Sequence, residues 1–520
     1  MFFILAVSLY TSRVVLRTLG VSDYGVYNVV AGFVSMFGFL NVTLASSLQR
    51  FYNYERQPVA DHSSGRGEEV TDVVSASIAH YRRVYSAGMT IQLTLAFLLL
   101  VLMETLGWWY VNNVMVVPAE RLLAANVAYQ MSLFSLLFVV VEIPYTAAIM
   151  AREFFDYYAL VGIAEVVLRL VAVIVLPWLP WDKVIALATM TLVITVVRFL
   201  LYYVYAKRKI LKTTFLPWGK GLAVTHTDKA VGIGEAPLLR RMLSFSGWNL
   251  LGTFAMLMKG QGVNMLLNVF FGTVVNAARA VAFQVNAALT GFSNNVAMSF
   301  QPQIVGGYAN GERDRVMRLF HAESRICFVL MAVLVTPLVL EMDYVLSLWL
   351  GDAVPPQAQV FTALVLIDSL LCMFEMPCTQ VAYAVGRIRD YKVVPSAVGL
   401  LLLPAAWVAL HFGVPAVTVF ELTIVFTVLQ LSASLLMLHR IFNYSFAGYT
   451  LRVLLPCVLF AVLNVVCPLL VRQVMDSSWQ RLLGVCAVDV VMGVVLAYAV
   501  VLGTSEKQML KGYCQKLLRR

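Results

Sequence analysis

Apolar residues fall into separated runs of about 20 positions along this chain, punctuated by short stretches of Lys, Arg, Gly, Pro and Asn. At about 1.5 Å per residue, such a run crosses a hydrocarbon core of about 30 Å as a helix. Period-two alternation with regularly spaced turns is missing, which argues against a β-barrel. The pattern predicts an all-α polytopic membrane protein with about 14 transmembrane helices, at 1–19, 24–50, 84–108, 122–150, 156–178, 183–206, 243–271, 274–303, 322–347, 357–385, 391–412, 415–438, 448–470 and 482–504. Several runs exceed 25 residues, so those helices tilt or continue into water.

Charge orients these spans. With the N-terminus inside, 28 of the 38 Lys and Arg lie in inner segments, four (Arg121, Lys183, Arg472 and Arg481) in outer loops and six within spans. The positive-inside rule therefore predicts cytoplasmic N- and C-termini. Composition agrees: 61% of residues are hydrophobic and 13% charged, where soluble domains carry roughly 25% charged residues. The net charge of +10 is a consequence of topology, so no nucleic-acid partner is expected. All seven cysteines lie in the second half, without CxxC or Cys/His ligand spacing, and neither a metal site nor a disulfide framework is expected. The first run carries Arg13 and Arg17 and lacks a small-residue cleavage site, so no cleavable signal peptide is expected.

The basic segment 207–242 divides the chain near its middle, and a repeat lies on either side of it. Glu142-Ile-Pro144-Tyr-Thr146 closes the fourth span, and Glu375-Met-Pro377-Cys-Thr379 closes the tenth, 233 residues later. Arg152 then Asp156-Tyr157 follows the first, and Arg387 then Asp390-Tyr391 the second; upstream, Ser135 is matched by Asp368. A weaker echo pairs Gly20, Ser47 and Gln49 with Gly272, Ser299 and Gln301. The elements are six spans apart and run in the same direction, so the halves are parallel repeats. The expected domains are a six-helix lobe at 1–206, a basic cytoplasmic linker at 207–242, a second six-helix lobe at 243–440, and two extra helices with a basic tail at 441–520.

Polar residues inside spans usually face a cavity or a partner. In the eighth span Asn276, Arg279, Asn286, Thr290, Ser293 and Gln301 share one face at 100° per residue. A similar stripe on the second holds Tyr24, Asn28, Ser35, Ser46, Gln49 and Arg50, while Arg13 and Arg17 share a face of the first. Lys259 lies near the middle of the seventh, with Gln261, Asn264 and Asn268 pointing away from it. Such groups either bond one another between packed helices or line a water-filled cationic cavity; the cations of these four spans have no local carboxylate, which favours the cavity. Glu165 and Arg169 form a favourable i,i+4 pair with a structural role, and Arg198, near the inner end of its span, is expected to snorkel.

Two readings stand for the Glu-x-Pro-x-Thr elements. Pro144 and Pro377 each free a carbonyl and kink a helix, which the threonine or a neighbouring helix then satisfies, with each glutamate anchored to a cation. Alternatively Glu142, Glu375 and Asp368, the last seven residues before Glu375 on the same face, form a gate or a coupling site for H+ or Na+. No other cofactor is expected.

The runs YTSRVVLRTLGVSDYGVYNVVAGFVSMFGFLN (10–41), ETLGWWYVNN (104–113), MLSFSGWNLLGTFA (242–255) and FGTVVNAARAVAFQVNAALTGF (271–292) resemble polysaccharide or O-antigen flippases, the Wzx-like branch of the multidrug/oligosaccharidyl-lipid/polysaccharide (MOP) exporters. The resemblance covers most of the chain and is clearest up to about residue 310. Two features depart from the family pattern. The first span begins almost at Met1, which an upstream start would explain, and the segment 56–73 is longer and more polar than usual. The resemblance implies two six-helix lobes with two further helices. It also implies a bacterial inner-membrane flippase moving undecaprenyl-pyrophosphate-linked oligosaccharide to the periplasmic leaflet for O-antigen, capsule or exopolysaccharide synthesis. Membrane lipids and other polysaccharide-assembly proteins would be its further partners.

Under that reading Arg13, Arg17, Arg50, Lys259, Arg279, Asn286 and Gln301 form the substrate cavity, because Arg and Lys bind phosphate oxygens. Three alternatives remain. A cation-coupled multidrug antiporter of the same superfamily would favour an acidic lumen. A polysaccharide polymerase or glycosyltransferase would expose a large catalytic loop, whereas no outer loop here exceeds about 15 residues. Flippases of peptidoglycan or teichoic-type precursors complete the set.

Overall fold

A computed structural model describes residues 2–38, 48–49, 52, 69–210, 254, 257–503 and 507. The described residues are almost wholly helical and contain no strand. Arg50, Ser46, Ser47 and the linker 211–242 lie outside them.

Among the described residues, thirteen main helices carry the architecture. They are α1 (Phe2–Ser35), α2 (Val84–Asn113), α3 (Ala119–Ala151), α4 (Phe155–Trp178), α5 (Lys183–Lys209), α6 (Val263–Phe271), α7 (Thr273–Ala309), α8 (Arg313–Leu340), α9 (Ala358–Val385), α10 (Asp390–His411), α11 (Val417–Phe442), α12 (Phe446–Val474) and α13 (Trp479–Val501). Ten of them, α2 to α5 and α8 to α13, are long and apolar enough to cross a membrane. The α1 helix holds the first predicted span and the first part of the second, joined at Gly20, while residues 39–47 of the second lie outside the described residues.

Gly20 has φ 79° and ψ 168°, and Gly272, between α6 and α7, has φ 75° and ψ −169°. This backbone region is open in practice only to glycine. The echo between Gly20 and Gly272 is thus a repeated helix break that favours the same residue in both halves.

Three predicted spans are interrupted. The ninth, 322–347, breaks at Glu341, where a short separate helix, Met342–Leu350, begins. The tenth breaks at Met373–Phe374; Met373 is the residue whose carbonyl Pro377 cannot bond. The eleventh turns at Leu401, three residues before Pro404. Pro144 instead sits buried within a helix continuous from Leu122 to Ala151. The threonines do not cap the carbonyls freed by proline as expected: Thr146 Oγ1 donates to Ile143 O at 3.1 Å and Thr379 Oγ1 to Glu375 O at 3.1 Å.

The chain forms two compact units, Met1–Asn276 and Ala277–Arg520. In the first, α3 packs along α5 and α2. Ala124, Ala125, Ala128, Ala147, Ala148 and Ala151 are buried on α3, and small residues let helices approach closely where lipid offers no competing hydrophobic drive. Tyr85, Tyr145 and Tyr202 fill the core beside them, and the Tyr85 and Tyr145 hydroxyls meet at 3.1 Å. The second unit is built around Phe320, Phe328, Phe374, Tyr391, Tyr449 and Phe460. There α12 and α13 are tied by Asn464 Nδ2 donating to Asp489 Oδ1 at 2.6 Å, both residues fully buried. Arg481 at the start of α13 donates to the buried Glu341 carboxylate at 2.6 Å.

Large apolar side chains stay exposed along α4, α12 and α13, among them Ile163, Val171, Leu451, Val462, Val491 and Val494. Surfaces of this kind belong in contact with acyl chains, where backbone polar groups are satisfied within the helix.

Candidate functional site

In the first unit the site grows from three helices. Glu142 is buried on α3, and Arg198 reaches it from α5: Nε donates to Oε2 at 3.2 Å. The same guanidinium donates through Nη1 to Glu165 Oε2 on α4 at 3.0 Å, and Arg169 pairs with Glu165 Oε1 at 2.8 Å. Two carboxylates and two guanidiniums thus form a neutral chain across α3, α5 and α4. The expectation that Arg198 snorkels is corrected. It is half-buried and held between two carboxylates, because a guanidinium in low dielectric gains more from two charge-assisted hydrogen bonds than from partial hydration. Glu142 has the anchoring cation that the structural reading required.

The corresponding site of the second unit has different chemistry. Glu375 at the start of the second segment of α9 accepts a hydrogen bond from Gln430 Nε2 on α11 at 2.9 Å. Gln430 stands 55 residues after Glu375 and Arg198 stands 56 after Glu142, so an amide replaces the guanidinium at matching positions. The position matching Glu165 is Gly399 on α10, where an added Cβ would lie 3.0 Å from Gln430 Oε1. Among the described residues Glu375 forms no ion pair. Seven residues earlier, Asp368 Oδ1 accepts from Thr427 Oγ1 on α11 at 2.5 Å. Asp368 and Glu375 therefore both face α11, as their spacing predicts.

The predicted cavity residues are distributed as follows. Arg13 and Arg17 are exposed on one face of α1, and among the described residues neither forms an ion pair. Lys259 is half-buried within a π-helical turn, Met258–Gly262, directly before α6. Arg279 is buried, with its guanidinium 4.0 Å from the centroid of the Phe283 ring, a cation–π contact. Asn286 accepts from Ser369 Oγ of α9 at 2.6 Å, and Gln301 is exposed.

The α7 stripe is correspondingly less open than its periodicity suggested. Asn276 donates to Asn264 O at 2.7 Å, Thr290 to Asn286 O at 2.9 Å and Ser293 to Met331 Sδ at 3.6 Å, with Asn276 and Ser293 fully buried. Polar groups in a lipid-embedded bundle take protein partners where packing supplies them. The polar face that points away from Lys259 also has a partner. Gln261 and Asn264 lie against Gly32 of α1, and buried Asn268 exchanges hydrogen bonds with the backbone of Val116, accepting at 2.9 Å and donating at 3.2 Å.

Several residues of this network were not legible in sequence. Arg121 bridges Asp23 of α1 and Asp182, accepting groups that sit 2.6 and 2.7 Å from its Nε and Nη1; Asp182 also caps α5 through Val184 N at 2.9 Å. Glu323 on α8 is fully buried, and neither of its carboxylate oxygens has a hydrogen-bond partner among the described residues. Its only sequence signal is a carboxylate at the edge of an apolar run. A groove of about 370 Å³ runs between α7, α8 and α13, lined by Phe292, Val329, Val333, Val490 and Val494 with Arg325 at one margin. Pairs of apolar residues on separate spans gave no signal of it. Among the described residues no group of His, Cys, Asp and Glu could hold a metal ion.

By sequence, no family model and no curated protein matches the chain. Solved structures do match by shape. The lipid II flippase MurJ, in an inward closed conformation, superposes with a TM-score of 0.66 at 12% identity, covering 96% of this chain and 97% of that one. An inward-facing multidrug resistance MATE family transporter of the MOP superfamily gives 0.64 at 13% identity, covering 84% and 94%. A MATE in complex with MaL6 gives 0.52 at 12%, covering 84% and 94%. The chain has the all-α polytopic fold of these transporters.

Proposed function

We propose that the protein is a flippase for undecaprenyl-pyrophosphate-linked oligosaccharide. In this reading it moves glycan repeat units from the cytoplasmic to the periplasmic leaflet of the bacterial inner membrane, for O-antigen, capsule or exopolysaccharide synthesis. The observation that carries this reading is the pair Arg13 and Arg17, exposed on one face of α1 inside a predicted span and without an ion pair among the described residues. Cations held in a membrane at this cost imply an anionic cargo, and a pyrophosphate suits guanidinium donors. Arg279 and Lys259 supply further positive charge within α7 and ahead of α6. The groove beside α13 suits an apolar polyprenyl tail, since almost all of its lining is hydrocarbon. MATE-type matches leave about a sixth of this chain uncovered, whereas the MurJ match covers nearly all of it.

Alternating access of two lobes about a cationic site would carry the headgroup across while the tail stays in lipid. Coupling, in this proposal, falls to Glu375 and Asp368, because Glu142 is already committed to Arg198.

The test is surface polysaccharide in cells that depend on this gene. Arg13→Ala/Arg17→Ala, Arg279→Ala and Lys259→Ala are each expected to abolish it while membrane insertion persists. Normal polysaccharide in all three would refute the cationic cargo site. The second reading, a cation-coupled multidrug antiporter, is favoured by the MATE likeness; drug efflux from vesicles that survives Arg13→Ala/Arg17→Ala would select it.

A further inference from the structure

A second pocket, also of about 370 Å³, lies where α8 begins and α12 begins. Its lining mixes basic, polar and apolar surface: Asp314, Met317, Arg318 and His321 come from α8, and Ser445, Gly448 and Arg452 from the entry to α12. Neighbouring charges are already committed. Arg315 pairs with Glu312 at 2.9 Å, and Arg313 donates to the Phe442 and Asn443 carbonyls at the end of α11. Among the described residues neither Arg318 nor Arg452 forms an ion pair, and His321 Nε2 is buried with no hydrogen-bond partner. Ser445 Oγ accepts from Gly448 N at 3.0 Å as a helix cap, which leaves its hydroxyl proton to donate outward.

The pocket has a rigid base. Phe320 stacks on Tyr449 with ring centroids 4.9 Å apart, His321 tilts against the same ring at 5.7 Å, and Tyr449 OH donates to Ser324 Oγ at 3.0 Å. Immediately beyond, Thr450–Leu454 is a π-helical turn that contains Arg452. A π turn inserts one residue into the helix and so advances the following side chains by about 100°. The distortion therefore sets the direction of Arg452. Leu451 and Leu455, on either side of it, are exposed apolar groups, so the pocket opens beside the lipid-facing surface of α12.

We propose that this pocket binds the phosphate of an anionic membrane phospholipid, its acyl chains lying along Leu451 and Leu455. Guanidinium and imidazole donors bind phosphate oxygens, and basic pockets between spans at the positively charged membrane face recognise anionic headgroups. The site is separate from the cargo residues and does not depend on what the protein transports.

The test uses the purified full-length protein in neutral detergent, titrated with phosphatidylglycerol, phosphatidylcholine or inorganic phosphate. Thermal unfolding and native mass spectrometry give the readouts. Phosphatidylglycerol is expected to bind saturably and raise the unfolding temperature, with phosphatidylcholine about tenfold weaker or more. Arg318→Gln/Arg452→Gln should weaken phosphatidylglycerol about tenfold or more, Arg318→Lys/Arg452→Lys should largely retain it, and Arg315→Gln should leave it unchanged. Should the Gln pair fail to fold, Arg318→Gln alone, at an exposed position, carries the comparison. Equal binding of both lipids, or phosphatidylglycerol binding unaltered in the Gln variants, overturns the site. Stabilisation by inorganic phosphate as strong as by phosphatidylglycerol overturns the lipid as its source.

Discussion

The two repeats place a glutamate at the same turn of the same helix and then treat it differently. Glu142 meets Arg198, and Arg198 also meets Glu165. Glu375 meets Gln430, and the third position is Gly399. The first half has a closed, neutral ion-pair chain, whereas the second has a carboxylate bonded to an amide that packs against a glycine. The scaffold is shared, and differences at two positions separate a glutamate held by a guanidinium from one held by an amide. The Glu-x-Pro-x-Thr motif alone does not distinguish these roles, because the distinction resides on the partner helices.

The strongest way to break the comparison is Arg198→Leu. It strands Glu142 and leaves Glu165 with Arg169 alone, and breaking a buried ion pair costs about 3–5 kcal/mol. Folded yield and unfolding temperature in detergent should fall well below those of Gln430→Leu. Comparable losses would show that the halves are locked alike.

Next come the hinges, where the halves should agree. Gly20→Ala and Gly272→Ala each force a Cβ into a backbone region that costs about 1–3 kcal/mol. Gly20 has no atom within 4 Å of the added Cβ and Gly272 only Val116 Cγ1 at 3.8 Å, so similar shifts in unfolding temperature are expected. A large difference would mean that one of the two breaks is not an intrinsic chain requirement.

A double-mutant cycle sharpens the first-unit lock. Arg198→Gln/Glu165→Gly copies the chemistry of the second unit and should be more stable than the sum of its single changes predicts, by about 0.5–3 kcal/mol. Additivity within about 0.3–0.5 kcal/mol would dissolve the coupling read from the 3.0 Å contact.

In the opposite direction, Gln430→Arg supplies Glu375 with the counter-charge that Glu142 has. Gly399, without a Cβ, already lets the Gln430 head pack close, so the longer arginine should change stability only modestly, by about 1 kcal/mol. Transport should nevertheless lose its dependence on an imposed ion gradient, as it should in Glu375→Gln. Gradient dependence that survives in both variants returns Glu375 to a structural role.

Much of the architecture was readable from the chain because it depends on local periodicity. Runs of about 20 apolar residues must be helical in lipid, and the repeat followed from matched motifs. Gly20 and Gly272 were noticed as an echo before their shared conformation explained it. Span interruptions were less legible: Pro377 and Pro404 break or turn their helices, while Pro144, buried among alanines and Tyr145, does not. The same residue type gives different outcomes according to what its neighbours pack against.

Sequence by itself determined the number and polarity pattern of the helices, their duplication, and the concentration of cations on the leading spans of each half. Tertiary structure alone decided which of those polar groups are spent on other helices. Arg198 finds carboxylates 56 and 33 residues away, and Asn268 finds the Val116 backbone 152 residues away. The physical reason is one of range. Hydrophobic transfer and helical hydrogen bonding act residue by residue along the chain, whereas an ion pair or a buried amide contact exists only after two surfaces have been brought within about 3 Å.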